Sequence, residues 1–427
     1  MFMFDDETGG TSQHFIPDAT ECRTCNMCAS HCPTFKTSRD AAESPRGRLK
    51  LISKMLEKEE SLNAEELGHL ESCLQCRACE SVCPSKMEYS KLLNSALEQS
   101  DVSLASPVIR ALLYACSDKN RLQQLFATLR VSQQWGLQTL ARRLGLFKIS
   151  LPAHFDHLLP KIPKQKRLES FYPAATQRHG AVGLFTGCFG SVLDQATLTS
   201  AIELLSQLGY DVHVPTAQQC CGALHDHNHD RATAKELAAV NLNAFAEHEV
   251  DAIVYTASGC GTMLKQYDEL LSEISDSSAL NRFSTGLTDI CRFLNSIDWP
   301  EHISLAPLSN KVAVHEPCSQ RFPEATQQHV YELLARIPGL EVTPLPENNI
   351  CCGAGGSYML THPQQSEAIR AEKLKHIEQL SPRLLVTSNI GCAMHLAAGI
   401  DKEKLQVVIA HPVELLAQQL QVRTTPV

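Results

Sequence analysis

Hydrophobic and polar positions follow two rhythms in the second half of the chain. Short apolar runs, Ala181–Phe185 and Asp251–Thr256, have the length and composition of buried strands. Longer stretches at helical spacing accompany them: Leu193–Leu208, closed by Gly209, and Arg231–His248. Together these elements predict α/β units. The first half reads as helical. A helix is expected to follow Ser44-Pro45 through Leu56, and helical patterns run through 101–178, where Pro152, Pro160, Pro163 and Pro173 mark a linker. No stretch reaches about 20 apolar residues, so no membrane-spanning helix is expected. The opening Met1-Phe2-Met3-Phe4-Asp5-Asp6 has neither a basic segment nor a cleavable apolar one, so no signal peptide is expected either.

Composition changes this picture at one point. The 427 residues include 43% hydrophobic and 20% charged side chains, as in an ordinary globular protein of two to four domains. The 18 cysteines are the exception. In the reducing cytoplasm expected for a chain without a leader, that many thiols point to metal rather than to disulfides. The net charge of −9 argues against a nucleic-acid partner. Residues 101–170 run against that balance, with eleven basic and four acidic side chains. Within them, Trp135–Leu159 mixes Leu, Phe and Trp with Arg142, Arg143 and Lys148. Such a segment suits an anionic membrane surface, or equally a connecting helical pair with a solvated basic face.

Two cysteine runs share one spacing. Cys22, Cys25, Cys28 and Cys32 precede Pro33, and Cys73, Cys76, Cys79 and Cys83 precede Pro84. This is the bacterial ferredoxin pattern, in which three close thiolates hold three corners of a cubane and the fourth reaches the other cluster. It assigns Cys22, Cys25, Cys28 and Cys83 to one [4Fe-4S] cluster, and Cys73, Cys76, Cys79 and Cys32 to the second. Zinc sites favour two ligand pairs with a longer gap, which is not the pattern here. Between the runs, Arg46, Arg48 and Lys50 are placed either beside the negatively charged clusters or in a solvated basic turn.

Eight further cysteines form an internal repeat. Cys188, Cys220-Cys221-Gly222 and Cys260 recur as Cys318, Cys351-Cys352-Gly353 and Cys392, at offsets of 130, 131 and 132 residues. Each set is expected at the loops after the strands, where α/β sheets gather ligands. The glycine after each cysteine pair is expected to allow a tight turn. Cys116 and Cys291 fall outside this system and read as small buried hydrophobes. No G-x-G-x-x-G after a strand and no P-loop indicates a nucleotide site in this chain. The expected fold is therefore mixed: a helical two-[4Fe-4S] ferredoxin-like module at 1–100, a helical basic linker at 101–178, and two tandem α/β Cys-Cys-Gly domains at 179–300 and 308–427.

With these motifs in order, nearly the whole chain resembles the iron–sulfur subunit of glycolate oxidase (glycolate dehydrogenase). Particular matches are Pro45-Arg46-Gly47-Arg48, Cys220-Cys221-Gly222-Ala223, Thr256-Ala257-Ser258-Gly259-Cys260-Gly261, Leu360-Thr361-His362-Pro363, Asn389-Ile390-Gly391-Cys392 and His395. The resemblance implies an electron conduit at the inner face of the cytoplasmic membrane. An FAD-containing partner subunit would oxidise a 2-hydroxy acid such as glycolate or D-lactate, and this chain would pass the electrons toward quinone. Heterodisulfide reductase subunits are also similar, and a thiol–disulfide role is the alternative. They carry a fifth cysteine in each Cys-Cys-Gly domain, where this chain has Met263 and His395. Four thiols per repeat still offer room for further clusters, and His395 is a candidate nitrogen ligand. The His225–Asp230 segment is metal-like in composition, and its His227, which matches a histidine of the resembling subunits, is a candidate for cofactor binding; His315 and His362 flank the second site. For these three a proton-transfer role is expected.

Overall fold

The computed structural model describes residues 21–58, 61–98, 106–138, 140, 157–272, 277–322 and 325–422. Most of Trp135–Leu159 therefore lies outside the described residues, as do the opening residues. The chain forms two compact units, Met1–Leu104 and Ala105–Val427.

The first unit is helical. Its principal helices are Pro33–Ser38, Pro45–Lys58, Ala64–Glu71 and Tyr89–Glu98. The first three are started by local chemistry. Proline opens the first two, where its missing N–H costs nothing. Asn63 and Glu66 form a capping box on the third. Leu49, Ile52, Leu70, Leu92, Leu93 and Ala96 make the core, and Cys22, Cys73, Cys79 and Cys83 pack against it. Gly47 lets the second helix approach the preceding turn. A Cβ there would stand 2.1 Å from the Ala41 carbonyl oxygen, so the Pro-Arg-Gly-Arg glycine is required by backbone contact.

The second unit contains two sheets of one topology. In the first, β1 (Phe171–Tyr172), β2 (Gly180–Phe185), β3 (Tyr210–His213), β4 (Ala252–Tyr255) and β5 (Leu287–Asp289) lie in the order β1-β3-β2-β4-β5. All neighbours are parallel except β1, which is antiparallel to β3. After β6 (Ile303–Leu305), the second sheet is built from β7 (Lys311–Val314), β8 (Glu341–Pro344), β9 (Leu384–Val386) and β10 (Val408–Ala410). Its order is β10-β9-β7-β8, all parallel. The duplication seen in the cysteines is thus a duplication of fold, β2 corresponding to β7, β3 to β8, β4 to β9 and β5 to β10. In each sheet the chain leaves the first strand in both directions, and the switch point lies at the C-terminal strand ends, where the cysteines fall. The strands and helices expected in the first repeat are present, the helix expected over Leu193–Leu208 as Gln195–Gln207 with the short helix Phe189–Leu193 before it. The helical pattern expected through 101–178 does not extend over residues 159–178, which hold no helix and contribute β1 to the first sheet, where the prolines of this stretch favour extended backbone.

The two repeats are tied together. The Ser258 N–H donates to the Ser388 carbonyl at 2.9 Å, the Ser258 and Ser319 hydroxyls pair at 2.8 Å, and His411 Nε2 meets the Thr256 carbonyl at 2.9 Å. The strand β11 (Leu420–Val422) returns antiparallel to β6. A further tie is ionisable. The Thr197 hydroxyl lies 2.6 Å from Asp194 Oδ1 and 2.8 Å from Glu414 Oε1, so two carboxyls share one donor. Burial, with the charge of Glu414, raises the Asp194 pKa to about 7 from 3.8. A carboxyl whose pKa rises on folding favours the native state at low pH. Stability is expected to fall between pH 4 and 7, by at most about 1.4 kcal/mol per pH unit. Asp194→Asn should flatten that slope in urea unfolding followed across this range.

Candidate metal centres

The ferredoxin loops owe their shape to four strained residues. Thr24 and Asn26 in the first run, and Gln75 and Arg77 in the second, all have positive φ between 50° and 63°. Gln75 and Arg77 occupy the same positions in their run as Thr24 and Asn26 do in theirs. None is glycine, so each costs about 1–2 kcal/mol and persists only where the surroundings demand it. The consequence is that the backbone curls and the sulfurs turn to a common centre. Cys32, Cys73, Cys76 and Cys79 line one cavity, together with Arg48 and Tyr89. Cys28 lies among Cys22, Cys25 and Cys83: burial and those neighbouring sulfurs push its thiol up. Burial, then Cys76 and Cys73, push Cys79 well up. Such crowded thiols resist becoming thiolates together unless a cationic group joins them. Three closely spaced thiols of one run joined by the fourth cysteine of the other are the ligand set of a ferredoxin-type cluster.

Of Arg46, Arg48 and Lys50, Arg48 is the one at the cavity. It is 1% exposed. Its Nη1 stands 3.9 Å from Cys32 Sγ and donates to Thr34 Oγ1 at 3.0 Å, while its Nε donates to the His69 carbonyl at 2.6 Å. Its Nη2 pairs with the buried Glu43 carboxylate, which also takes His69 Nδ1 at 2.7 Å and the Ser72 hydroxyl. Burial opposes its charge, but Cys73, Tyr89, Cys32 and Glu43 outweigh it and keep the guanidinium protonated. Lys50 is exposed.

In the first repeat, Cys188 follows β2, Cys220-Cys221 follows β3 and Cys260 lies on the helix Ser258–Leu264 after β4. Gly222 adopts φ +91°, the left-handed turn expected after the cysteine pair, and Gly353 matches it at +92°. Cys188 and Cys220 sulfurs are 3.3 Å apart. Cys221 lies in the same buried cluster, with Cys260 packed against it. A buried clamp holds the pair: Asn241 Nδ2 donates to the Cys220 carbonyl at 2.8 Å, and the Tyr267 hydroxyl to the Cys221 carbonyl at 2.9 Å. Cys116, expected only as packing, meets Cys188 here. Its contact arises from tertiary packing across 72 residues, which no local spacing signals. Cys291 is buried against Asp289.

In the second repeat, Cys318 and Cys351 sulfurs are 4.0 Å apart, and Cys352 and Cys392 sulfurs lie within 4.8 Å of each other. Ligand atoms of His315, Cys352 and Cys392 lie within 4.8 Å of one another, so these three could hold a metal ion. His315 is 1% exposed, its Nδ1 bonded to Thr387 Oγ1 at 3.0 Å and its Nε2 buried without a partner. Burial lowers its pKa to about 3, so the ring is neutral. His395 turns elsewhere. Its Nε2 meets Ser366 Oγ at 3.1 Å and its Nδ1 meets Arg370 at 3.4 Å. Ser366 in turn donates to the Gly353 carbonyl at 2.8 Å, so His395 braces the Cys-Cys-Gly turn through Ser366. Lys373 reaches the Glu347 carbonyl at 2.5 Å beside the same thiols. His227 lies near the Gly356 turn of the second repeat: a Cβ on Gly356 would be 3.5 Å from its Nδ1. His362 stacks on Tyr358 at 4.6 Å.

Two ferredoxin loops with converging thiols, followed by a duplicated α/β domain with a thiol cluster in each copy, define an iron–sulfur protein of the electron-transfer class. Family comparisons find a 4Fe-4S dicluster domain at residues 18–87, a cysteine-rich domain at 182–265 and again at 312–397, and the linker region of the glycolate oxidase iron–sulfur subunit at 107–159. The probable glycolate oxidase iron–sulfur subunit of Bacillus subtilis is 31% identical over 417 residues, covering 93% of each chain. The glycolate oxidase iron–sulfur subunit of Escherichia coli is 28% identical over 408 residues, covering 94% of each. Lactate utilization protein A 1 of Bacillus anthracis is 28% identical over 245 residues, which is 56% of this chain and 98% of that one. A hypothetical protein from Helicobacter pylori, known from its crystal structure, shares the fold with a TM-score of 0.51 at 10% identity, covering 88% of this chain and 67% of that one. The chain belongs to the glycolate oxidase iron–sulfur subunit family.

Proposed function

We propose that this chain is the electron-transfer subunit of a flavin-dependent 2-hydroxy acid dehydrogenase, receiving electrons from an FAD-containing partner and delivering them toward membrane quinone. In this reading Cys22, Cys25, Cys28 and Cys83 hold one [4Fe-4S] cluster and Cys32, Cys73, Cys76 and Cys79 the other. Cys188, Cys220, Cys221 and Cys260, and likewise Cys318, Cys351, Cys352 and Cys392, offer sites for further clusters. The layout follows: ferredoxin-like module at 1–100, basic linker at 101–178, Cys-Cys-Gly domains at 179–300 and 308–427. The observation that carries the reading is the set of separate thiol clusters within one chain whose full-length relatives are named glycolate oxidase iron–sulfur subunits.

Bound clusters supply one-electron carriers, which cannot take a hydride, so oxidation of the hydroxy acid falls to the flavin of the partner. The chain's own residues set the conditions. Arg48 places a buried positive charge at Cys32 and favours the reduced, more negative state. The Tyr89 hydroxyl and the Gln75 N–H both point at Cys73 Sγ, at 3.9 and 3.5 Å, and act in the same direction. The helices bearing Cys260 and Cys318 pack together through Thr262 Oγ1 and the Ser319 carbonyl at 3.2 Å, which keeps the two repeat centres in one rigid frame.

No helix among the described residues is long and apolar enough to cross a membrane. Trp135, Leu137 and Leu140 are exposed, at 76%, 48% and 51%, just ahead of Arg142 and Arg143 in the sequence. This supports a peripheral contact with the inner face of the cytoplasmic membrane. The test is co-expression with a flavoprotein partner and anaerobic purification, followed by quinone-analogue reduction on addition of glycolate or D-lactate. Turnover that requires both subunits supports the reading. Disulfide reduction by this chain alone, without quinone reduction by the pair, would replace it with a thiol–disulfide role.

A further inference from the structure

We propose that the linker supplies a fifth ligand to the first repeat centre: Cys116 joins Cys188, Cys220, Cys221 and Cys260 around one iron–sulfur group, so that the two repeat centres are chemically unequal. This rests on the reading that the repeat thiols hold iron, and it names a ligand that the repeat motif itself does not contain.

Cys116 is the last residue of the helix Pro107–Cys116 and is 1% exposed. Its thiol belongs to the same buried cluster as Cys188, Cys220 and Cys221, and the Cys188 and Cys220 sulfurs are 3.3 Å apart. Five sulfurs therefore gather in one buried cluster: Cys116, Cys188, Cys220 and Cys221, with Cys260 packed against them. The helix end is pinned to the residues that flank those cysteines. The Lys119 N–H donates to Gln219 Oε1 at 2.8 Å, next to Cys220, and Lys119 Nζ donates to Thr186 Oγ1 at 3.3 Å, two residues before Cys188. Phe126 of the following helix meets Phe189 edge-on at 6.0 Å, immediately after Cys188. The segment is thus fixed on both sides of the thiol cluster.

The second repeat differs. It has four sulfurs, and its additional donor is His315, a ring nitrogen of which lies within 4.8 Å of the Cys352 and Cys392 sulfurs. The corresponding position in the first repeat is Phe185, which has no donor atom. The linker thiol supplies the first centre with what the imidazole offers the second. Ligation is proton-coupled: each thiol releases its proton as its sulfur binds iron. Cys291 provides the contrast, a thiol equally buried but set against Asp289.

The test uses the full chain, produced anaerobically with 57Fe, as wild type, Cys116→Ala, Cys116→Ser, Cys221→Ser and Cys291→Ala. Iron and acid-labile sulfide per chain are counted, and EPR and Mössbauer spectra are recorded. The ferredoxin module accounts for about eight irons. Cys116→Ala is expected to lose about half of the iron beyond those eight, as Cys221→Ser does, with ferredoxin and second-centre signals retained. Cys116→Ser, close in size and so sparing the packing, is expected to change the first-centre spectrum. Cys291→Ala should match wild type. If both Cys116 variants keep the wild-type iron and spectra while Cys221→Ser loses iron, Cys116 is a packing residue and the proposal fails. If Cys221→Ser also changes nothing, the first repeat holds no iron, and the underlying reading fails with it.

Discussion

A Cys76→Ser chain, purified anaerobically, is expected to carry about four fewer irons than the parent and to lose one of two [4Fe-4S] EPR signals. A serine hydroxyl keeps its proton where the thiol would lose it, so the corner of the cluster is left open. The informative comparison is with residues far away in sequence. Cys32 lies 44 residues earlier but lines the same cavity as Cys73, Cys76 and Cys79. Cys32→Ser should therefore erase the same signal as Cys76→Ser. Cys83→Ser should instead act like Cys22→Ser, because Cys83 shares its surroundings with Cys22, Cys25 and Cys28. Electron delivery to quinone by the assembled complex should cease in all four variants. Sorting of the effects by sequence run, with Cys32 grouped with Cys22, would show that the fourth cysteine does not cross over.

Glu43→Ala is expected to destabilise the first unit by about 3–5 kcal/mol, the cost of leaving one partner of a buried ion pair uncompensated. Glu43 is 5% exposed and Arg48 1%. The carboxylate simultaneously accepts from Arg48, His69 and Ser72, so its removal strands three donors around the cavity. Denaturant unfolding of the full chain, followed by the visible absorbance of the ferredoxin module, measures this loss. Arg48→Met should behave differently. It removes the positive charge at Cys32, so the reduction potential of that cluster should fall even in molecules that remain folded. Glu43→Gln keeps one acceptor and should lie between wild type and Glu43→Ala in stability.

The parts of this fold that sequence makes legible are those encoded locally. Cysteine spacing marks the ferredoxin loops because a cubane dictates the reach between its ligands. The offset of about 131 residues marks the duplication, and the two sheets share their strand order because they share that ancestry of pattern. What local pattern does not reveal is direction. Arg46, Arg48 and Lys50 share a helix, and only its packing against the 41–43 turn, permitted by Gly47, selects Arg48 as the buried one. His395 stands three residues after Cys392 on one helix, which brings it close in sequence, yet its ring is taken by Ser366 and Arg370. His315 faces the thiols from the end of a strand, and the repeat carried the clue: its counterpart is Phe185, a chemical difference at an otherwise matched position. Cys116 had no such signal, since its partners are assembled by tertiary packing alone.

The central claim is that electrons from a flavin partner enter this chain. The most direct measurement is rapid freeze-quench EPR of the anaerobic complex with its flavoprotein after mixing with glycolate or D-lactate. The account predicts that reduced [4Fe-4S] signals from this chain rise as the flavin is reoxidised, and that Cys76→Ser removes one of them. Flavin that cycles with substrate while the clusters stay oxidised would contradict it.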